Sequence, residues 1–96
     1  MIIYVSENGP DRLELIEALV KEGVTYQECQ AATEREAGIS AVRMVKIQAN
    51  VPEVVPVPLE LTQGDSEVRV WRLPSGKLVI SDMDGNLEQI TRPIPH

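Results

Sequence analysis

The chain opens with a short apolar run and then changes to the spacing of an amphipathic helix. Residues 2–5 are aliphatic or aromatic and residues 6–9 favour turns, so the first run predicts a buried strand. The helix should follow at once, with Asn8 as its cap and Pro10 in its first turn. Gly23 lies where this helix should end.

The apolar residues of this helix recur at intervals that place them along one face. The predicted core-facing residues are Leu13, Ile16 and Leu19 or Val20, with Leu15 and Ala18 widening the stripe. A second strand should begin at residues 24–26. A strand, a helix and a strand joined by short loops favour a parallel strand pair with a right-handed crossover.

The next stretch contains a second helix start and then an ambiguous apolar segment. Residues 33–36 read Thr-Glu-Arg-Glu, which matches a capping box, and Gly38 would end that helix after about two turns. Residues 39–48 fit either a strand or a helix that continues through Gly38. Their β-branched residues, and the cost of about 1 kcal/mol for a glycine inside a helix, favour the strand.

No helical spacing of useful length occurs after residue 50, and the pattern becomes that of short strands. Residues 51–61 contain three prolines, so this segment should be extended but cannot be a fully paired central strand. Residues 67–71 alternate between polar and apolar, residues 77–80 form a further strand pattern and residues 87–91 a weaker one, and turn-forming residues separate them. Three such strands in succession predict an antiparallel β-meander.

These elements predict an α+β fold with a βαβα start followed by an antiparallel β-meander. A chain of 96 residues has the size of one small domain. We therefore expect a single domain over residues 1–96. Its first portion should span residues 1–48, and a β-rich extension should span residues 49–96.

Charge and cysteine content narrow the classes of function. The formal net charge of −6 argues against a protein that binds nucleic-acid backbones, because such proteins cluster lysine and arginine. Cys29 is the only cysteine, so no intrachain disulfide can form, and we expect a buried structural thiol. Residues 82–86 resemble the start of a calcium loop but lack its closing glutamate, which favours a plain turn and no metal site.

The sequence also bears on location. No apolar run approaches the roughly 20 residues that a membrane-spanning helix needs. The first residues contain no basic region of the kind that begins a signal peptide. We therefore expect a cytoplasmic protein whose partners include neither a membrane nor a nucleic acid.

Residues 2–26 resemble the opening of glutaredoxins without a gap. That opening consists of a strand, a Cys-Pro-Tyr-Cys motif, an amphipathic helix and a Gly-Val-x-Tyr strand, and residues 9–12 read Gly-Pro-Asp-Arg at the motif's position. Residues 36–42 are similar to the segment that precedes the cis-proline of thioredoxin-like proteins. This register places Arg43 at the cis-proline position, whereas a later register places Pro56 or Pro58 there.

The resemblance implies a thioredoxin-like fold without the family's activity. Thiol–disulfide exchange needs a thiolate whose pKa the helix N-terminus lowers. Gly9 has no nucleophile, and Arg12 cannot resolve a mixed disulfide. We therefore expect no enzymatic activity and no cofactor. A glutathione-binding protein with atypical chemistry is an alternative.

A degenerate loop of this kind can serve as a binding surface. Its candidate residues are Asn8, Gly9, Pro10, Asp11, Arg12 and Arg43. In the thioredoxin-like register Arg12 and Arg43 should lie close together, either as a basic spot for a partner's carboxylate or as two solvated arginines. Trp71 is a further candidate, since an exposed tryptophan would mark an interface and a buried one would belong to the core.

These features predict a non-enzymatic protein-binding module on a redox-inactive glutaredoxin-like scaffold. Small proteins of this type include phage-encoded modulators of host enzymes, and a protein partner is the expected ligand. A structural or assembly subunit is the alternative, in which strand edges would support a homo-oligomer.

Overall fold

The computed structural model describes residues 1–30, 43–61 and 67–91. Its elements in chain order are β1 (Ile2–Ser6), α1 (Pro10–Lys21), β2 (Tyr26–Gln30), β3 (Met44–Ala49), a 3₁₀ helix (Leu59–Leu61), β4 (Val68–Arg72), β5 (Leu78–Asp82) and β6 (Leu87–Ile90). The architecture is strand-rich with one α-helix in these ranges, and it agrees with the predicted α+β class.

The first sheet has the strand order β1-β3-β2. Strand β3 lies between the other two and is antiparallel to both, with Ile47 opposite Ile3 on β1 and opposite Glu28 on β2. The predicted direct pairing of β1 with β2 is therefore wrong. Strands β1 and β2 run in the same direction, as predicted, but they are not neighbours. The antiparallel strand β3 lies between them.

Strand β3 settles part of the ambiguous segment. Met44–Ala49 is a strand, as the β-branched residues predicted, and its core-facing side chains Val45, Ile47 and Ala49 are buried. The strand ends one residue beyond the predicted boundary. The predicted helix at 33–36 and residues 39–42 lie outside the described residues.

Helix α1 begins one residue later than the cap prediction implied. Gly9, not Asn8, is the N-cap, and no side chain hydrogen-bonds to the first turn. Pro10 occupies the first helical turn, where its missing amide hydrogen removes no helical bond. At the other end, Gly23 follows the C-cap Glu22 with φ of +71°, as its predicted stop position requires.

The face that α1 buries differs from the predicted stripe. Leu15, Ala18 and Leu19 are buried, whereas the side chains of Leu13 and Val20 are 65% and 61% exposed. The apolar residues cover more of the helix surface than the sheet can cover. The helix is rotated so that the residues expected only to widen the stripe form its centre.

The second sheet has the strand order β4-β5-β6, and both pairs are antiparallel. The predicted meander is therefore confirmed. The segment before it runs along the edge of β4, where the amide of Val54 donates to the carbonyl of Val70 at 2.8 Å and the amide of Arg72 donates to Pro52 at 3.0 Å. An edge position suits a proline-rich segment, because proline donates no hydrogen bond.

One hydrophobic cluster contains side chains from both sheets and from α1. Its buried members include Ile3, Val5, Leu15, Leu19, Val45, Ile47, Trp71, Leu73 and Val79. The sheets also meet through the backbone, since the amide of Tyr4 on β1 donates to the carbonyl of Gly85 at 2.9 Å. Within the three described ranges, no helix has the length and hydropathy that crossing a membrane requires.

Candidate functional site

The loop between β1 and α1 is closed by backbone hydrogen bonds. The amide of Glu7 donates to the carbonyl of Arg43 at 2.9 Å, and the amide of Gly9 donates to the carbonyl of Ser6 at 3.1 Å. The backbone of Arg43 therefore lies next to the loop. Asn8 and Asp11 are exposed at this end of the helix.

Gly9 lies at a crowded point of this loop. A Cβ atom at this position would lie 3.1 Å from the Cβ atom of Ser6, which is closer than an ordinary van der Waals contact. The backbone of Gly9 is extended, so the crowding and not the dihedral angles favours glycine here. A larger residue would require Ser6 to move.

Arg12 is paired within the protein. Its Nε donates to Oε1 of Glu28 at 2.6 Å, and this bond joins the first turn of α1 to β2. The hydrogen bond that Arg12 donates to Glu28 also raises the pKa of the Arg12 guanidinium. Arg12 is therefore paired with a carboxylate of its own chain, while 31% of its side chain remains exposed. Sequence reasoning missed the pair because its partner lies on a strand whose position depends on the sheet order.

Trp71 belongs to the core. Its side chain is 2% exposed, and the guanidinium of Arg69 lies 5.2 Å from the ring centroid, within the range of a cation–π contact. Arg69 also donates to Glu53 at 2.7 Å, and this hydrogen bond lowers the pKa of the Glu53 carboxyl. The contacts among Glu53, Arg69 and Trp71 hold the proline-rich segment against β4. At 2% exposure, Trp71 has almost no accessible surface for an interface.

The turn at residues 82–86 uses its carboxylate internally. Oδ1 of Asp82 accepts hydrogen bonds from the amides of Asp84 and Asn86 at 2.9 and 2.8 Å, and Oδ2 accepts one from Nδ2 of Asn86 at 3.0 Å. Burial alone would raise the pKa of Asp82, but these hydrogen bonds outweigh it and lower the pKa. The residues form the plain turn that the sequence favoured.

Cys29 is exposed on β2, so the expectation of a buried structural thiol is wrong. The residues of β2 after Tyr26 are exposed, and β2 is an outer strand of its sheet within the part of the chain that the structure describes. The peptide bond between Val55 and Pro56 is cis, and Pro56 is one of the residues named above for the cis-proline position, with Arg43 and Pro58.

The outer face of α1 carries exposed apolar side chains beside the loop. We define this helix face as Leu13, Ile16 and Val20, which lie on one ridge because they are three and four residues apart. Ile16 is half-buried, while Leu13 and Val20 are mostly exposed. This exposed helix face could have been recognised from the sequence, because the apolar residues of α1 cover a stripe wider than one buried face.

A second exposed feature is an open groove of about 710 Å³ beside the second sheet. We call it the acidic groove. Its lining residues are Glu60, Leu61, Glu67, Val68, Ile80, Asp82, Glu88 and Gln89. Four of these are carboxylates, and none is a lysine or an arginine. Sequence reasoning missed the groove because its residues come from the 3₁₀ helix, from three different strands and from Glu67 just before β4.

Comparison with known proteins assigns no function to these surfaces. No family model matches the chain, and neither the curated proteins nor the solved structures include a significant match.

Proposed function

We propose that this chain is a non-enzymatic protein-binding module on a redox-inactive glutaredoxin-like scaffold. The helix face, together with the adjoining loop of residues 8–12, is its contact surface. The observation that carries the proposal is the exposure of Leu13 and Val20, at 65% and 61%, on one ridge of α1. A partner that covers these side chains would gain the free energy of apolar burial, about 1.5–3 kcal/mol for each fully buried side chain.

The adjoining loop supports binding more than chemistry. Positions 9 and 12 carry Gly9 and Arg12, so thiol–disulfide exchange is impossible at this loop. Arg12 stabilises the helix start through Glu28, and backbone hydrogen bonds hold the loop against Ser6 and Arg43. A pre-ordered surface loses little conformational entropy when it binds, which favours affinity.

The test is a comparison of tagged full-length variants in an affinity purification. Leu13→Gln/Val20→Gln removes both exposed apolar side chains and retains helix propensity. Met83→Gln is the matched control, because Met83 is a 55% exposed apolar side chain in a turn of the second sheet. We expect one stoichiometric protein partner with the wild type and with Met83→Gln, and its loss with the double variant.

The same partner, once purified, should co-elute with the wild-type chain in size-exclusion chromatography. The proposal fails if no stoichiometric partner is recovered. It also fails if the double variant retains the partner as well as the control does. Circular dichroism of all variants distinguishes lost binding from lost folding.

A second candidate function is self-association through the edge of the first sheet. Strand β2 pairs with β3 on one side, and its last four residues are exposed. Exposed strand edges can pair with another chain. Light scattering would then show a concentration-dependent oligomer that Cys29→Lys dissociates and Met83→Lys does not. A strict monomer at high concentration would remove this candidate.

A further inference from the structure

We propose that the acidic groove binds an extended peptide segment of a protein partner in which lysine or arginine alternates with apolar residues. The surface differs from the helix face, so this inference goes beyond the proposed function and does not depend on it. It rests on an apolar floor, a rim of unpaired carboxylates and the complementary charge that such a rim requires.

The floor of the groove lies on the face of the second sheet opposite the shared hydrophobic cluster, where Ile80 is only 5% exposed and the half-buried Leu61 and Val68 provide the accessible apolar surface. Val79 belongs to the hydrophobic cluster, so the neighbouring Ile80 on β5 points to the opposite face, because side chains alternate along a strand. Val68 on β4 and Leu61 of the 3₁₀ helix complete the apolar lining. A groove floored by aliphatic side chains favours a ligand with apolar groups of its own.

The rim carries negative charge that the described structure does not neutralise. Within residues 1–30, 43–61 and 67–91, the salt bridges join Arg12 to Glu28 and Arg69 to Glu53, so they leave Glu60, Glu67 and Glu88 unpaired. The carboxylate of Asp82 is hydrogen-bonded in its turn, but its charge adds to the same field. A ligand with positive charge is therefore the electrostatically complementary one.

The apolar floor and the acidic rim together favour an extended peptide in which apolar and basic residues alternate. Successive side chains of an extended chain point to opposite sides. Apolar side chains at every second position can therefore all face the floor. The aliphatic stems of lysine and arginine can follow the groove wall while their charged ends reach the rim. The volume of about 710 Å³ lies within the range of about 300–1,000 Å³ that binding pockets have.

The test uses fluorescence anisotropy with the full-length chain and a labelled peptide in which lysine and valine alternate. At about 50 mM NaCl, where exposed charges are weakly screened, we expect saturable binding. Glu67→Gln/Glu88→Gln should weaken that binding about fivefold or more, since it removes two exposed ion pairs. Both residues are exposed, so the variant should retain the wild-type thermal unfolding midpoint.

The matched control is Glu14→Gln/Glu17→Gln, which removes the same charge from exposed positions on α1. It should change peptide affinity by less than about twofold, the effect of distant screened charges. A peptide in which serine replaces valine should bind more weakly than the valine peptide. Spermine should compete poorly, because it lacks apolar side chains for the floor.

Several outcomes would overturn the proposal. Equal affinity of the groove variant and the wild type would exclude the rim, and an equal loss in the control would indicate a general charge effect. Equal binding of the serine peptide would exclude the floor, and strong competition by spermine would indicate a polyamine site. Failure here leaves the partner test with Leu13→Gln/Val20→Gln unaffected, because that variant alters a different surface.

Discussion

Leu13 and Leu15 lie two residues apart on α1, and they meet different surroundings. Leu15 is fully buried against the sheet, whereas Leu13 is 65% exposed. The same side chain therefore contributes to stability at one position and to a surface at the other. The environment of each residue, and not its apolar character, decides which role it has.

Truncation of these two leucines should have unequal effects on stability. Leu15→Ala should lower the free energy of unfolding by about 2–5 kcal/mol, because it removes buried methyl groups and leaves a cavity. Leu13→Ala should change it by less than about 0.5 kcal/mol. Urea denaturation of both variants checks this, and equal losses would show that the helix buries a different face.

At the scale of elements, two glycine turns of the second sheet differ in whether they contact the first sheet. Gly76 and Gly85 both have positive φ angles, +97° and +91°. A Cβ atom at Gly76 would meet nothing within 4 Å, whereas one at Gly85 would lie 3.0 Å from Cδ2 of Tyr4. The turn between β5 and β6 therefore presses against β1, and its glycine is needed for space as well as for conformation.

Alanine substitutions at these two glycines separate the two requirements. Gly76→Ala should cost about 1 kcal/mol of stability through its backbone conformation alone. Gly85→Ala should cost about 1–2 kcal/mol more, since the added methyl group displaces Tyr4. Thermal unfolding of the two variants measures the difference. Equal losses would mean that the approach of the turn to β1 does not constrain the fold.

The carboxylate of Asp82 makes the stability of the same turn depend on pH. Its pKa is lowered in the folded state, so it contributes stability above its unfolded pKa of about 3.9 and loses that contribution as pH falls through the folded pKa. Asp82→Asn should therefore cost about 1 kcal/mol near neutral pH. The difference should shrink as pH falls below about 4, because the unfolded state then binds a proton that the folded carboxylate binds only at lower pH.

Chemical denaturation at a series of pH values measures this dependence. Glu14→Gln is the control for the removal of one negative charge at an exposed position on α1, and it should change stability near neutral pH by less than about 0.5 kcal/mol. A constant cost of Asp82→Asn at all pH values would show that the charge of the carboxylate contributes nothing to the turn.

At the scale of the whole molecule, two sheets share one core. The hydrophobic cluster combines Ile3 and Ile47 of the first sheet with Trp71 and Val79 of the second. In the second sheet, Val70 and Ile80 are also buried, at 0% and 5% exposed, outside this shared cluster. A chain of 96 residues buries a limited fraction of its surface, so each half depends on the other for stability.

Unfolding should therefore be a single cooperative transition. The fluorescence of Trp71, the only tryptophan, reports on the second sheet, and far-ultraviolet circular dichroism at the helical band reports on α1. Both signals should change at the same urea concentration. Separate midpoints would show that residues 1–48 and 49–96 fold as independent units.

Much of the element pattern could be predicted from local sequence. The run at residues 2–5, the proline at the start of α1, the stop at Gly23 and the three strands of the meander are all local signals, and the described structure has each of them. Local signals suffice here because backbone dihedral preferences and alternation act over a few residues. The candidate loop at residues 8–12 was likewise visible as a turn beside a helix start.

Only the tertiary structure decided how these elements combine. It placed β3 between β1 and β2, paired Arg12 with Glu28 across 16 residues, and brought Glu60, Glu67 and Glu88 around one groove. The sequence by itself determined where strands, helix and turns occur, since those follow from the nearest neighbours along the chain. Strand order, the buried face of α1 and the surfaces left open depend on contacts between distant residues, which local patterns do not encode.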